Sequence, residues 1–420
     1  MTQRWILDEI VDPFGAKIVV EKGTDGSVSS ARFDLAGLPR VDALLAGQQT
    51  AEVPDLVEKL CGICPAAHHL AGVRALETLA GLEDIPPTAK AVRRLLHLGS
   101  ALDTHAPRLL ATDRDAAVML KRFGKAAMVA AGSPGHFPIT AIPGGVRNPV
   151  STQARDELAA SIGEVLALTI RVAEQELGRP SALPGFSGAD VALVNTDGGP
   201  DVLGRRIRAV TAHGATLVSG AAASAWDRLV AEEFPGAAAP RPYLMALGPR
   251  QGLYRVGPVA QLRVGELSTP LAAKLQAQWL LSNGDAAGAR AVMCVQAAEE
   301  IALLLDNPVL CSGETSVPVG EIEPGAVGIG WVDGPRGLLV HRYQAGADGR
   351  LGAAQILTPT AQNEAWLAEL LTVAAADSTD PLGMEDAVRE ADPCLPCSSA
   401  PVGGMGLQVD TISGSAKGRN

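Results

Sequence analysis

Apolar and polar residues alternate through residues 17 to 34, KIVVEKGTDGSVSSARFD, on either side of a T-D-G turn, which is the pattern of a β-hairpin. From Pro54 the period changes. Leu56, Val57 and Leu60, then Leu70, Val73, Leu76 and Leu79, recur at helical spacing, and Gly62 and Pro65 interrupt the run. Residues 86 to 123 and 152 to 176 carry the same helical pattern, and 265 to 306 predicts one or two long, Ala-rich helices. Between the first two lies GSPGHFPITAIPGGVRNP, dense in Gly and Pro and therefore a structured loop. From 307 the chain turns irregular and strand-like through VLCSGETSVPVGEIEPGAVGIGWVDGPRGLLVHRY, residues 362 to 375 read as helix, and the tail from 398 is small and polar. Stretches 179 to 202 and 233 to 242, loose in Pro, Gly and Ala, are expected as surface loops.

These elements predict an α+β fold, predominantly α-helical. A central helical bundle carries a β-containing N-terminal lobe and an irregular, strand-rich segment near 307–345. No internal repeat or charged linker divides the 420 residues. One domain over 1–420 is expected: a β-containing lobe at 1–50, a mainly helical part at 51–306, an irregular part at 307–400 and a tail at 401–420. Aromatics are scarce at 3%, so the core must be built largely from Ala, Leu and Val with close helix packing. The net charge of −11 argues against nucleic acid or an anionic membrane surface as a partner, since both need clustered positive charge. The opening MTQRWILDEIVDPFG lacks the basic start and apolar run of a signal peptide, and no stretch is apolar enough for membrane insertion. A cytoplasmic protein is expected.

The six cysteines sharpen this picture. Four form two tight pairs, Cys61-Gly-Ile-Cys64 and Cys394-Leu-Pro-Cys397, and the remaining two, Cys294 and Cys311, read as buried apolar thiols. Two intervening residues let both sulfurs of a pair face one ion, and four thiolates suit zinc, iron–sulfur or nickel but not calcium or magnesium. A zinc ribbon places its second pair about 15–20 residues downstream. Here the pairs stand 330 positions apart, so a shared metal would tie the two ends of the chain together. Two unrelated pairs, or a redox disulfide, are the alternatives that spacing alone leaves open.

The sequence around each pair adds a resemblance. LCGICPAAHHLAGVRALE and DPCLPC are similar to the two signature motifs of the nickel–iron hydrogenase large subunit, in the same order and near the same ends. AIPGGVRNP at 141–149, GPRGLLVH at 334–341 and TPTAQNE at 358–364 extend the likeness over most of the chain. CGICPAAHH and the modest length are most similar to the soluble NAD(P)-linked type.

This resemblance implies Cys61 and Cys394 as terminal nickel ligands and Cys64 and Cys397 as bridges from nickel to iron. The iron would carry carbon monoxide and cyanide installed by maturation accessory proteins. Cys394 and Arg336 would be catalytic, a terminal thiolate taking the first proton and the guanidinium leaning over the metals to donate to a cyanide. Pro359 and Thr360 would line the other cyanide. Asp392 would anchor Arg336 or cap a helix, and His68 would donate to a bridging thiolate. His69 reads as packing, and His97, His105, His136 and His341 read as satisfied core residues. The implied activity is reversible heterolytic cleavage of H2. Two remaining cysteines are too few for an iron–sulfur relay, so electrons must leave through an iron–sulfur small subunit, then through a diaphorase-type or other carrier module.

Three positions depart from the family pattern. Phe14, in Asp12-Pro13-Phe14-Gly15, stands where the family has a proton-relaying glutamate, so Asp12, a water chain or another route must serve. Ala400 replaces the histidine or arginine after which a C-terminal pro-peptide is normally cut, and Pro401 follows it. The same change removes a magnesium ligand whose acidic counterpart here is Asp42. Lys59 replaces an arginine, keeping charge but losing the bidentate fork. The competing readings are a divergent subunit that senses hydrogen or turns over little, and a structural zinc or thiol scaffold.

Overall fold

The computed structural model describes residues 17–35, 41–110, 112–179, 185–237, 239–282, 284–378, 380–395, 398 and 400–413. Asp12, Phe14 and Cys397 lie outside them, so the expectations placed on those positions are not addressed by the geometry below.

The N-terminal hairpin forms as the alternation predicts. Strand β1 (Lys17–Lys22) pairs antiparallel with β2 (Val28–Asp34), and Ile18, Val20, Ala31 and Phe33 turn into the core. A third strand, β9 (Gln408–Ser413), lies parallel to β1 on its other edge, running from Lys17 opposite Gln408 to Lys22 opposite Ser413. The tail expected to be merely small and polar is therefore partly a strand. Its side chains are mostly exposed, so the backbone ladder holds it, and a ladder leaves no hydrophobic period to read.

Nine helices of seven or more residues are present among the described residues: α1 (Pro65–Leu79), α2 (Pro87–His105), α3 (Arg114–Ala130), α4 (Thr152–Leu177), α5 (Pro258–Val264), α6 (Pro270–Leu281), α7 (Ala286–Asp306), α8 (Glu364–Asp377) and α9 (Pro381–Ala391). Their starts follow local chemistry. Asp113, Ser151 and Asp285 accept the N–H of Ala116, Ala154 and Gly288, each satisfying a donor that the first turn cannot. Helices α2, α3, α4 and α7 pack into the expected bundle around Leu95, Leu98, Leu102, Leu120 and Ile301.

The stretch 51–306 is less helical than expected. Strands β3 (Ala189–Val194), β4 (Arg206–Val210) and β5 (Thr216–Ala222) form an antiparallel sheet, extended by Tyr254–Arg255 parallel to β3. Every residue of β3 is buried, which corrects the surface-loop expectation for 179–202. ADVALV is covered on both faces, so it shows no alternation and is too short for a helical period. The second expected loop, 233–242, is largely exposed between the short paired strands Val230–Glu232 and Pro242–Leu244.

Strands β6 (Val327–Gly334), β7 (Gly337–Ala345) and β8 (Leu351–Leu357) make an antiparallel meander, the first two of them within the segment near 307–345 expected to be strand-rich. Helix α1 lies directly on β6, and glycines permit it. A Cβ at Gly330 would stand 2.1 Å from the Ala71 carbonyl oxygen, and one at Gly328 would stand 2.2 Å from that of Ala75. The turn from β6 to β7 is closed by Gly334 opposite Gly337, so Pro335 and Arg336 occupy its tip.

Candidate metal centre

Three cysteines converge although two chain ends supply them. Cys61 opens the non-helical link that follows Leu60, and Cys64 occupies the position before the first turn of α1, where Pro65 loses no hydrogen bond. His136 donates to the Gly62 carbonyl (2.6 Å) and fixes the loop between the two cysteines. Cys394 follows α9, which ends at Asp392 in the left-handed region (φ 47°), a conformation aspartate tolerates better than most residues. The Cys394 N–H donates to Thr360 Oγ1 at 2.7 Å.

The sulfurs of Cys61, Cys64 and Cys394 are separated by 3.3, 3.3 and 3.5 Å. Those distances far exceed an S–S bond of about 2.05 Å. They come close to the edge of about 3.8 Å that metal–sulfur bonds of about 2.3 Å give in a tetrahedron. No disulfide joins these three thiols, and they are the only group of three or more metal-binding side chains so clustered among the described residues.

Electrostatics make the cluster incomplete as a set of bare thiols. Hydrogen bonds from Cys394 and Cys64 hold the Cys61 thiol well below its usual range, and the same contacts push Cys64 and Cys394 up. One buried thiolate suppresses ionisation of its neighbours, so ionising all three requires an added cation.

The arginine at the hairpin tip supplies part of that charge. Arg336 is buried, and its Nε donates to Asp392 Oδ1 at 3.0 Å. Arg108 also binds the Asp392 carboxylate and reaches the Ser398 carbonyl and hydroxyl, clamping the chain on both sides of Cys394. Against the cost of burial, Arg336 and Arg108 hold the Asp392 carboxyl down at about 2. Asp392 thus does both things expected as alternatives: it anchors Arg336 and it ends a helix. Arg336 Nη1 is buried with no hydrogen-bond partner. An orphaned guanidinium N–H beside three thiols fits a small hydrogen-bond-accepting group held on a metal between them.

Other expected positions are placed as follows. His68 lies beside the cluster and helps to lower the Cys61 thiol, and its Nδ1 lies 3.1 Å from His341 Nε2. His341 in turn bonds Tyr343 Oη (2.6 Å), so His341 is not merely a packed core histidine but the second member of a buried chain from the thiols. Pro359 is buried in the short helical turn that presents Thr360. His69 is buried as packing, accepting the Ala141 N–H. Cys294 is buried, as expected, and Cys311 only partly so. Arg108 and Tyr343 carry no motif, and neither was singled out from sequence.

Comparisons with known proteins point the same way. The family model for nickel-dependent hydrogenases matches residues 40–107, which contain the first cysteine pair. The chain is 28% identical over 390 residues to a vhu-type F420-non-reducing hydrogenase chain of Methanococcus voltae, covering 83% of this chain and 92% of that one. It is 25% identical over 491 residues to the beta chain of the NAD-reducing hydrogenase HoxS of Cupriavidus necator, covering 99% of each. Among solved structures, an NAD+-reducing nickel–iron hydrogenase in the H2-reduced state superposes with a TM-score of 0.78 at 27% identity, over 90% of this chain and 94% of that one. The Ni-Fe-Se hydrogenase of D. vulgaris Hildenborough shares the fold at a TM-score of 0.65 and 16% identity, over 93% of this chain and 98% of that one. The likeness runs over nearly the whole length, and not at the cysteine motifs alone, so this chain is similar to nickel-dependent hydrogenase large subunits from end to end.

Proposed function

We propose that this chain is the catalytic subunit of a nickel–iron hydrogenase, with Cys61 and Cys394 as terminal nickel ligands and Cys64 and Cys397 bridging nickel to iron. The observation that carries the reading is the convergence of Cys61, Cys64 and Cys394 beside an arginine whose Nη1 has no partner. The bound metals would supply a Lewis-acidic, redox-active pair at which H2 is split into a proton and a hydride equivalent.

The chain's own residues would serve that chemistry in distinct ways. The Cys394 thiolate would accept a proton, and the buried Arg336 charge would offset the anionic sulfurs, with Nη1 placed to donate to a cyanide carried by the metal group. Thr360 Oγ1 already accepts the Cys394 N–H, which leaves its own proton for the second cyanide, next to Pro359. His68 and His341 fix the orientation of Cys61, and Asp392 with Arg108 holds Arg336 and the second cysteine segment in place. Carbon monoxide and cyanide would come from maturation accessory proteins. Magnesium binding would lack the usual histidine at Ala400.

Electrons would pass to an iron–sulfur small subunit, then onward to an NAD(P)-linked, diaphorase-type module. The NAD-reducing relative supports that partner, while the F420-non-reducing relatives support a different final carrier. Among the described residues no helix is long and apolar enough to cross a membrane.

A dye-reduction assay under H2, on the chain co-produced with its maturation proteins and small subunit, tests the activity. Cys394→Ser is expected to abolish turnover, and Arg336→Lys to lower it by about a hundredfold or more. H2-dependent turnover that survives Cys394→Ser would sink the assignment. Absent turnover with the metals in place would favour the sensing or low-turnover reading that Phe14 and Ala400 suggest.

A further inference from the structure

The chain carries 46 acidic residues against 35 basic ones, yet one groove reverses that excess. It holds about 330 Å³, is open to solvent, and runs between α1, α2 and the chain joining β3 to β4. Six cations line it, Arg74, Lys90, Arg93, Arg94, Arg205 and Arg206, against two carboxylates, Glu77 and Asp201.

Four of the six are paired. Arg93 forks onto Glu77, with Nη1 at 3.0 Å from Oε2. Arg94 is held by Asp201 and by Glu300, each at 2.6 Å. Lys90 and Arg205 share Asp84, at 2.7 and 3.2 Å. Four carboxylates thus meet four cations, and pairs of this kind need no ligand to explain them.

Arg74 and Arg206 differ. Arg74 Nη1 donates to the Trp331 carbonyl (2.8 Å) and Nη2 to that of Gly204 (3.1 Å), and Arg206 Nη1 donates to that of Gly220 (3.2 Å). Neither has a carboxylate partner among the described residues. Carbonyls orient a guanidinium without cancelling its charge, and three of the five N–H groups of Arg74 stay uncommitted. Arg74 is half-buried on α1. Burial, with the charges of Arg205 and Arg93, pulls it down to about 10 against the opposing pull of Glu77 and Asp201. A cation crowded in this way by other cations is stabilised by an added anion.

The remaining lining supplies donors and apolar surface. Asn195 Oδ1 accepts the N–H of Asp197 (2.9 Å) and Gly199 (3.0 Å), which fixes the amide. Its Nδ2 is left with two N–H groups and no acceptor among the described residues. Thr196 adds a hydroxyl at the exposed edge, and Ile85 and Leu203 add apolar surface between the charged groups.

The geometry points to a binding site for a small phosphate ester in this groove, with Arg74 and Arg206 supplying the charge and Asn195 and Thr196 further donors. Two uncancelled cations match a phosphate monoester, which carries nearly two negative charges at neutral pH on three acceptor oxygens. Guanidinium forks take such oxygens two at a time. The groove's volume lies at the lower end of small-molecule sites, so the organic part must be small. The proposal goes beyond the hydrogenase reading and does not depend on it. An occupied groove would still bear on the metal centre, since Arg74 ties α1, which begins just after Cys64, to β6, which leads to Arg336.

The test is titration calorimetry of the assembled complex with inorganic phosphate in a chloride buffer. Saturable one-to-one binding with a Kd of about 1 mM or tighter is expected. Arg206→Ala, at the exposed edge, should weaken it at least about tenfold, and Arg74→Gln should abolish it. If Arg74→Gln does not fold, the double variant Arg205→Ala with Arg206→Ala, which keeps both carbonyl bonds of Arg74, should lose binding in its place. Succinate, a dianion without a phosphoryl group, should bind at least about tenfold more weakly than phosphate. The absence of saturable phosphate binding would overturn the proposal. So would binding unchanged in Arg206→Ala, or succinate bound as tightly as phosphate.

Discussion

Asp333 and Asp392 are both buried carboxyl groups within four chain links of the arginine hairpin or the second cysteine pair, and their surroundings drive them in opposite directions. Two arginines hold Asp392 ionised at about 2, while Asp333 has only neutral donors and sits at about 7. The first is built to stay charged and hold Arg336 still. The second is built to change charge. Its effect on stability follows from the sign of the shift. The folded protein binds a proton at Asp333 more tightly than the unfolded chain does, so stability is undiminished below the unfolded value of 3.8 and is lost as pH rises toward 7. Asp333→Asn removes that loss. The variant should match wild type near pH 4 and become more stable by up to about 4 kcal/mol above pH 7, read as thermal midpoints across that range. A difference that does not grow with pH would show that Asp333 is ionised at all of them.

At the scale of elements, one contact positions the site more than any other. Helix α1, which begins just after Cys64, rests backbone-to-backbone on β6, which leads to Arg336, and Gly328 and Gly330 make the approach possible. The first cysteine pair and the arginine are thereby built on one rigid unit. Gly330→Ala places a methyl group 2.1 Å from the Ala71 carbonyl oxygen, which neither element can yield without separating. The variant should lose about 3 kcal/mol of stability and bind less metal, measured by thermal melting and metal content of the purified chain. An unchanged melting temperature would mean that the helix and strand are not held at this distance. These glycines are visible in GIGWVDG, yet their purpose is not, because close approach between α1 and β6 is a relation between segments about 260 residues apart. The same limit explains the other misreadings. Local periodicity marked α2, α4 and the β1–β2 hairpin, each of which keeps an exposed side, and also α1, which is buried nearly all round. It failed for β3, buried on both faces, and for β9, exposed on both and held only by its ladder to β1.

For the molecule as a whole, the cysteine motifs named a site that folding then assembles from both ends of the chain, with Cys61 and Cys394 333 residues apart and their sulfurs 3.3 Å apart. Motif spacing pointed to the thiols, and the family resemblance pointed to Arg336, Thr360 and Asp392. It could not find Arg108, His341 or Tyr343 in their present roles, since each acts through a partner fixed only by tertiary packing. The helical bundle and the sheets thus hold a charged centre between segments from both ends of the chain. The measurement that tests this most directly is nickel and iron content combined with infrared spectroscopy, on protein produced together with its maturation machinery and small subunit. About one nickel and one iron per chain, with bands in the cyanide and carbonyl region, is the result expected of the four-cysteine centre. Zinc alone, or no metal and no such bands, would contradict it and leave the three converging thiols as a structural scaffold.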